Sequence, residues 1–170
     1  RVWGHLMGSH LVSTPSDFGL RSNPPSHPEL LDYLAFNFIK TGWSTKSLIR
    51  SILLSSTYKQ SSLASKKTEA HQIDPENRLF TRANRKRLNF ESFRDSILYV
   101  SGKIDSTMYG RPVDITSSNY STRRSIYARI ERQNLPPVFR TFDFASPDVH
   151  SPKRLETTVP QQALFILNGK

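Results

Sequence analysis

Two arginine-rich stretches hold the first residues in this chain whose types could do chemistry. Arg82, Arg85, Lys86 and Arg87 precede a helical pattern, and Arg94 follows within it. Arg123 and Arg124 open a second segment, with Arg129 and Arg132 on its polar side. A guanidinium presents a planar fork of donors that pairs with phosphate, sulfate or carboxylate through two bonds at once. If the two groups converge, Arg85, Arg87, Arg94 and Arg124 make an anion site. The plainer alternative is a solvated face with internal ion pairs, such as Arg94 with a nearby Asp or Glu, because surface charge needs no function. Nucleic acid is a narrower form of the idea and needs rings exposed among the cations for stacking. Tyr109, Tyr120 and Tyr127 lie near the basic segments, but no helix-turn-helix, RNA-recognition or zinc-finger pattern accompanies them, so nucleic acid is not the expected partner.

Acidic and imidazole groups offer a second chemistry. Asp143, Asp148 and His150 fall in one proline-bounded loop and could act as an acid–base pair or a metal cluster if they meet in a concave pocket. A cluster of that size is weak, and no metal is assigned. Asp17, Asp32 and Asp95 are further carboxylates that the sequence alone does not bring together, and Asp95 beside Arg94 reads equally well as a buried structural pair. His5 and His10 are not spaced for one helix face, and His27 reads as a loop-ordering residue. Serines are plentiful but lack a nucleophile elbow.

Composition bounds these options. The chain has 170 residues and no cysteine, which excludes disulfides, thiolate catalysis, Cys-ligated zinc and a c-type haem attachment within it. Its 24 basic and 14 acidic residues give a net charge of +10, favouring polyanions such as nucleic acid, anionic lipid or acidic polysaccharide unless an acidic neighbour offsets it. Ten Phe, six Tyr and two Trp predict a core rich in rings. No apolar run approaches the ~18 residues of a membrane-spanning helix. Length fits one domain over residues 1–170, and the two ends, both in helical patterns, read as cuts from a larger multidomain chain.

The elements that must position these groups are mostly helical. Residues 1–8 read as a helix tail stopped by Gly8. Ser26-His27-Pro28-Glu29 matches a capping box with Ser26 as N-cap, opening a helix that carries Leu30, Leu31, Leu34 and Phe38 and ends near Lys40, ahead of Gly42. Asn23-Pro24-Pro25 predicts a stiff, extended entry into it. Ser44 or Thr45 starts the next helix, with Leu48, Ile49, Ile52 and Leu53 as its stripe. Residues 61–76, including Lys66 and Lys67, read as a polar loop, and residues 77–82 as a short helical turn. Asn89 caps a helix from Phe90 to about Ser101, with Phe90, Phe93, Ile97 and Leu98 inward. Alternation over Ser125–Arg132, with Ile126, Ala128 and Ile130 on one side, is the one good strand signal. Pro136-Pro137 opens a short helix. Thr158-Val159-Pro160-Gln161 makes a second capping box, with Thr158 as cap and Gln161 as its reciprocal partner. The predicted fold is mainly α: five or six helices around an aromatic-rich core, with room for a small strand pair near residues 123–132.

Three stretches carry a resemblance: Asn23 to Asp32 (NPPSHPELLD), Asn84-Arg85-Lys86-Arg87-Leu88 leading to Arg94-Asp95, and Thr157 to Leu164 (TTVPQQAL). In this order, over nearly the whole chain, they resemble the planctomycete secreted-protein domain of unknown function that lies C-terminal to cytochrome-c-like modules. The resemblance implies a secreted or cell-envelope setting and haem c elsewhere in the parent chain, with no cofactor in this domain. It brings no catalytic residue. Its most recognisable positions, Asn23, Ser26, His27, Glu29, Thr158 and Gln161, are caps and turns, which favours an architectural role. The expectation is a non-catalytic docking module that packs against other domains of the parent chain or binds acidic polysaccharide. The alternative is an enzyme domain acting on an envelope or sulfated polysaccharide.

Overall fold

A computed structural model describes residues 1–63 and 69–168; Lys66 and Lys67 lie outside them. The chain forms two compact units, Arg1–Lys86 and Arg87–Lys170. The fold is mainly α, as the periodicity predicts, with seven α-helices and one 3-10 turn among the described residues.

The first unit holds α1 (Val2–Met7), α2 (Pro28–Lys40), α3 (Thr45–Leu53) and α4 (Glu69–Ile73). Trp3, Met7, Leu11, Ile52 and Phe80 form its core, with Leu30, Leu34 and Leu48 packed against it. Gly8 stops α1 at φ 79°, and its N–H returns to the Gly4 carbonyl. Ser44 caps α3 by accepting from the Ser47 N–H at 3.3 Å. α4 falls where the sequence reads as loop, because Ala70 and Ile73 alone give it no periodic stripe.

The entry to α2 corrects the first capping box. His27, not Ser26, is the N-cap, at φ −139° and ψ 82°. The residue before a proline is pushed out of the helical region, so Pro28 forces His27 to be the last non-helical residue. Ser26 Oγ instead meets His27 Nδ1 at 2.9 Å, and the Ser26 N–H donates to the Leu11 carbonyl at 2.7 Å.

The second unit holds α5 (Phe90–Val100), a 3-10 turn (Ser125–Tyr127), α6 (Pro137–Thr141) and α7 (Pro160–Asn168). Asn89 caps α5 through the Ser92 N–H at 2.9 Å. Phe90, Ile115, Leu135 and Phe139 form the core, and Phe142 and Phe144 pack onto it. The rings meet mostly edge to face, with Phe90–Phe139 at 5.4 Å and Phe139–Phe144 at 4.9 Å between centroids.

The strand expected at residues 123–132 is not formed. Two isolated parallel bridges, Asp105 with Arg123 and Val113 with Ala128, flank the 3-10 turn. A polar anchor breaks the alternation. Asp95 Oδ1 accepts from both the N–H and the hydroxyl of Ser125, at 2.8 and 2.7 Å. Ser125 is thereby buried and Ile126 turned outward.

The second capping box is also displaced by one residue. Pro160 opens α7, and Gln162 rather than Gln161 reaches back, accepting from the Val159 N–H at 3.4 Å. The same proline rule moves the box. Gln162 Nε2 also donates to the Thr141 carbonyl at 2.8 Å, which explains a fully buried glutamine.

Candidate functional site

The expected arginine quartet is divided by its folding. Arg85 belongs to the first unit; Arg87, Arg94 and Arg124 belong to the second. Arg94 sits on the inner face of α5, between Phe90 and Leu98 at helical spacing, and its side chain is 11% exposed. It donates to the Arg123 carbonyl at 2.9 Å, to Ser125 Oγ at 3.3 Å and to the Ser121 carbonyl. Asp95 lies 3.7 Å away. Burial pushes the Arg94 guanidinium below its usual range, with the Asp95 charge opposing. Arg94 is thus a strut for the irregular chain at residues 121–125.

Arg87 has a similar task, donating to the Thr157 carbonyl at 2.8 Å and to Thr158 Oγ1 at 3.3 Å. Arg123 donates to the carbonyls of Arg111 and Thr107, each at 3.1 Å, and to that of Tyr109. Its guanidinium lies 4.0 Å from the Tyr127 ring centroid, and Arg94 lies 5.9 Å from that of Tyr120. Two of the three rings that nucleic acid would need for stacking, Tyr120 and Tyr127, already engage arginines of the same chain, while Tyr109 is 80% exposed. Arg85 and Arg124 are exposed, with no side-chain partner among the described residues.

Asn23, His27 and Glu29 lie at the entry to α2. Asn23 donates to Ser13 Oγ at 2.8 Å, pinning the entry loop. The His27 ring lies 5.5 Å from that of Phe80. Glu29 stands in the first turn of α2, where its charge suits the helix dipole. The rings of His5 and His10 come within 6.4 Å, because Gly8 turns the chain between them.

Asp143, Asp148 and His150 are not gathered as a triad. Asp143, at a left-handed φ of 56°, accepts from the Thr157 N–H at 2.7 Å and from its hydroxyl at 2.8 Å. Its two oxygens fasten the strap that leads into α7. Asp148 lies 3.5 Å from Arg132 on the surface. His150 is exposed and does not line the cavity that holds the two carboxylates. No group of three His, Cys, Asp or Glu among the described residues is placed to hold a metal.

That cavity is what the sequence reading missed. It lies within the second unit, between the end of α6 and residues 143–155, and has a volume of about 430 Å³. Arg132, Arg140, Lys153 and Arg154 line it, against Asp143 and Asp148. Glu91 grips Arg154 through two bonds of 2.9 and 2.7 Å, and the guanidinium lies 4.6 Å from the Phe144 ring centroid. Arg154 and Lys153 carry no periodic signal, so only the folding of residues 143–155 back onto α5 and α6 could reveal them.

The first unit has a different candidate, an apolar surface. Tyr33, Phe36 and Ile39 of α2 and the following Trp43 are each more than half exposed, and no residue of α2 is buried. An apolar groove of about 280 Å³ opens on the other side of the helix, lined by Leu31, Leu34 and Phe38 together with Trp3, Leu11 and Ile52. No described helix is long and apolar enough to cross a membrane.

Comparison with curated proteins and with solved structures finds no match. Over residues 1–170 the chain matches the family described as PSD1: Protein of unknown function (DUF1553), and it belongs to that family.

Proposed function

We propose that this domain is a non-catalytic interaction module of a secreted, haem-containing cell-envelope protein. It docks onto the haem-bearing part of the parent chain through the outer face of α2. One observation carries the reading: Tyr33, Phe36, Ile39 and Trp43 leave a row of large apolar groups in water. Isolated exposed apolar residues are ordinary, but three large apolar side chains three residues apart on one helix, followed by an exposed Trp43, are the pattern of an interaction surface. The polar residues that could have argued for catalysis mostly hold the fold together. The test is Phe36→Asp with Trp43→Asp in the full-length protein. The expected result is a lower sedimentation coefficient, as the module detaches, with unchanged helix content. An unchanged coefficient overturns the docking.

Acidic polysaccharide is the second reading. Arg87 and Arg94 are committed to internal acceptors, so it draws its support from the cation-lined cavity of the second unit. Heparin retention by the full-length protein at ~0.15 M salt, where charges are screened beyond ~8 Å, tests it. Loss of all retention at that salt removes it.

A further inference from the structure

We propose that the cavity bounded by Arg132, Arg140, Lys153 and Arg154 binds a hydroxylated oxyanion, the carboxylate- or sulfate-bearing ring of an anionic sugar. This rests on the polyanion reading and is independent of the docking face.

The lining places four cationic side chains against two carboxylates. They are not equivalent. Arg154 is held in place: Glu91 binds it bidentately from one side and the Phe144 ring backs it. Two of its five N–H donors point to Glu91, and the others are available. Arg132 is tied to Asp148 by a contact of 3.5 Å between side chains that are 71% and 59% exposed, a pair too solvated to resist a competing anion. Arg140, in the last turn of α6, and Lys153 are exposed and have no side-chain partner among the described residues. The cavity therefore has one prepositioned fork and two uncommitted cations, which is what a single oxyanion needs.

The rest of the lining narrows the ligand. Asp148 can accept hydroxyl donors, whereas both oxygens of Asp143 already accept from Thr157. Ser146 Oγ takes the Asp148 N–H at 3.3 Å, and Ser151 Oγ donates to the Lys153 carbonyl at 3.1 Å. These hydroxyls retain hydrogen-bonding capacity. A bare anion would satisfy the cations and leave the acceptors facing it unfavourably. A ring carrying both an anionic group and hydroxyls satisfies both sets. The volume, about 430 Å³, lies in the range of small-molecule sites and accommodates one such ring.

The experiment is titration of the full-length protein at ~0.15 M salt with glucuronate, glucose 6-sulfate, inorganic sulfate and glucose, alongside heparin retention. Arg140→Glu with Lys153→Glu is compared with wild type and with Arg85→Glu/Arg124→Glu, and near-ultraviolet circular dichroism verifies folding. Arg140→Gln with Lys153→Gln serves if charge reversal unfolds the unit. The expected result is binding of glucuronate or glucose 6-sulfate, with whichever binds better naming the anionic group. Glucose does not bind, inorganic sulfate binds more weakly, and the cavity variants lose affinity by about tenfold or more. The Arg85/Arg124 variant behaves as wild type. Retention on heparin that the cavity variants leave unchanged, with no binding of either sugar, overturns this site and spares the polyanion reading. Absence of both heparin retention and sugar binding overturns both.

Discussion

The two units solve the problem of holding a short-helix chain together in different ways. In the first, helices α1, α2 and α3 meet around Trp3, Met7, Leu11, Ile52 and Phe80, and cations act at the margin. Lys86, for example, donates to the Leu6 carbonyl at 2.9 Å and to that of His5, where a cation suits the C-terminal end of α1. In the second, long irregular segments between short helices leave many backbone carbonyls without ladder partners, and buried or half-buried arginines collect them. Arg94 and Arg123 together serve five carbonyls, those of Arg123, Ser121, Arg111, Thr107 and Tyr109. Arginine bonding to the backbone is the more frequent device in the second unit, whereas in the first Arg82 does it on a smaller scale, donating to the Asp74 carbonyl at 3.4 Å and the Pro75 carbonyl at 2.7 Å. The lesson is that a basic chain need not be a polyanion binder, since part of its charge is internal scaffolding.

The largest effects test that contrast at its centres. Phe139→Ala empties the middle of the phenylalanine cluster and is expected to cost ~3–5 kcal/mol in denaturant unfolding. Arg94→Ala is expected to cost about as much, ~3–5 kcal/mol, because it leaves Asp95 uncompensated and the Ser121 and Arg123 carbonyls unpaired. Arg94→Lys is expected to recover little of it, since an ammonium cannot span the same acceptors. If Arg94→Ala proves harmless while Phe139→Ala does not, the scaffold role of arginine is wrong.

In the first unit the polar counterpart is Asn77, 1% exposed and at a φ of 55° that asparagine tolerates. Its amide donates to the Arg82 carbonyl at 2.7 Å and to Asn84 Oδ1 at 2.8 Å, and it accepts from the Arg82 N–H at 3.2 Å. Asn77→Ala is expected to lose ~1–3 kcal/mol, measured as a drop in unfolding midpoint. Smaller still is Lys86→Ala, at ~0.3–1 kcal/mol. A Lys86 effect as large as that of Arg94 would erase the distinction between the units.

Acid is expected to act on both. The N–H groups of Leu79 and Arg78, at 2.7 and 2.9 Å, hold the Asp74 carboxyl below its usual range in the first unit, helped by the charges of Arg82 and Arg78. Asp105, bonded by Thr107, and Asp114, bonded by Thr116 and Ser117, are held low in the second. A carboxylate with a depressed folded value stabilises fully above its unfolded pKa of ~3.9 and loses that contribution as pH falls through the folded value. Stability should thus be flat from neutrality to about pH 5 and fall below pH ~4. Asp74→Asn should flatten that limb as read by Trp emission, since both tryptophans, Trp3 and Trp43, lie in the first unit. An unaltered limb would assign the acid sensitivity elsewhere.

Much of the helical framework was legible because its signals are local. Ser44, Asn89, Gly8 and Pro137 mark helix ends through bonds or dihedral limits set within a few residues. Both of these helices start one residue later than their capping boxes predict, for a reason also present in the sequence, the restriction that Pro28 and Pro160 place on their predecessors. What could not be read depends on distant partners. The buried stripe of α5 contains Arg94 in place of Ile97, because carbonyls some thirty residues away need a donor. The strand signal at residues 125–132 failed because Asp95 captures Ser125. The cavity of the second unit draws its cations from three separate places in the chain, Arg132, Arg140 and the Lys153-Arg154 pair, and only folding assembles them.

The functional reading turns on the outer face of α2, proposed above as a docking surface. Acrylamide quenching of Trp43 in the full-length protein, isolated by difference from Trp43→Phe, tests it most directly, because this side chain is 65% exposed in the domain described here. If α2 docks, Trp43 in the intact protein is expected to be shielded from quencher, with its emission shifted to the blue. A Trp43 quenched as readily as a free indole in water would contradict it.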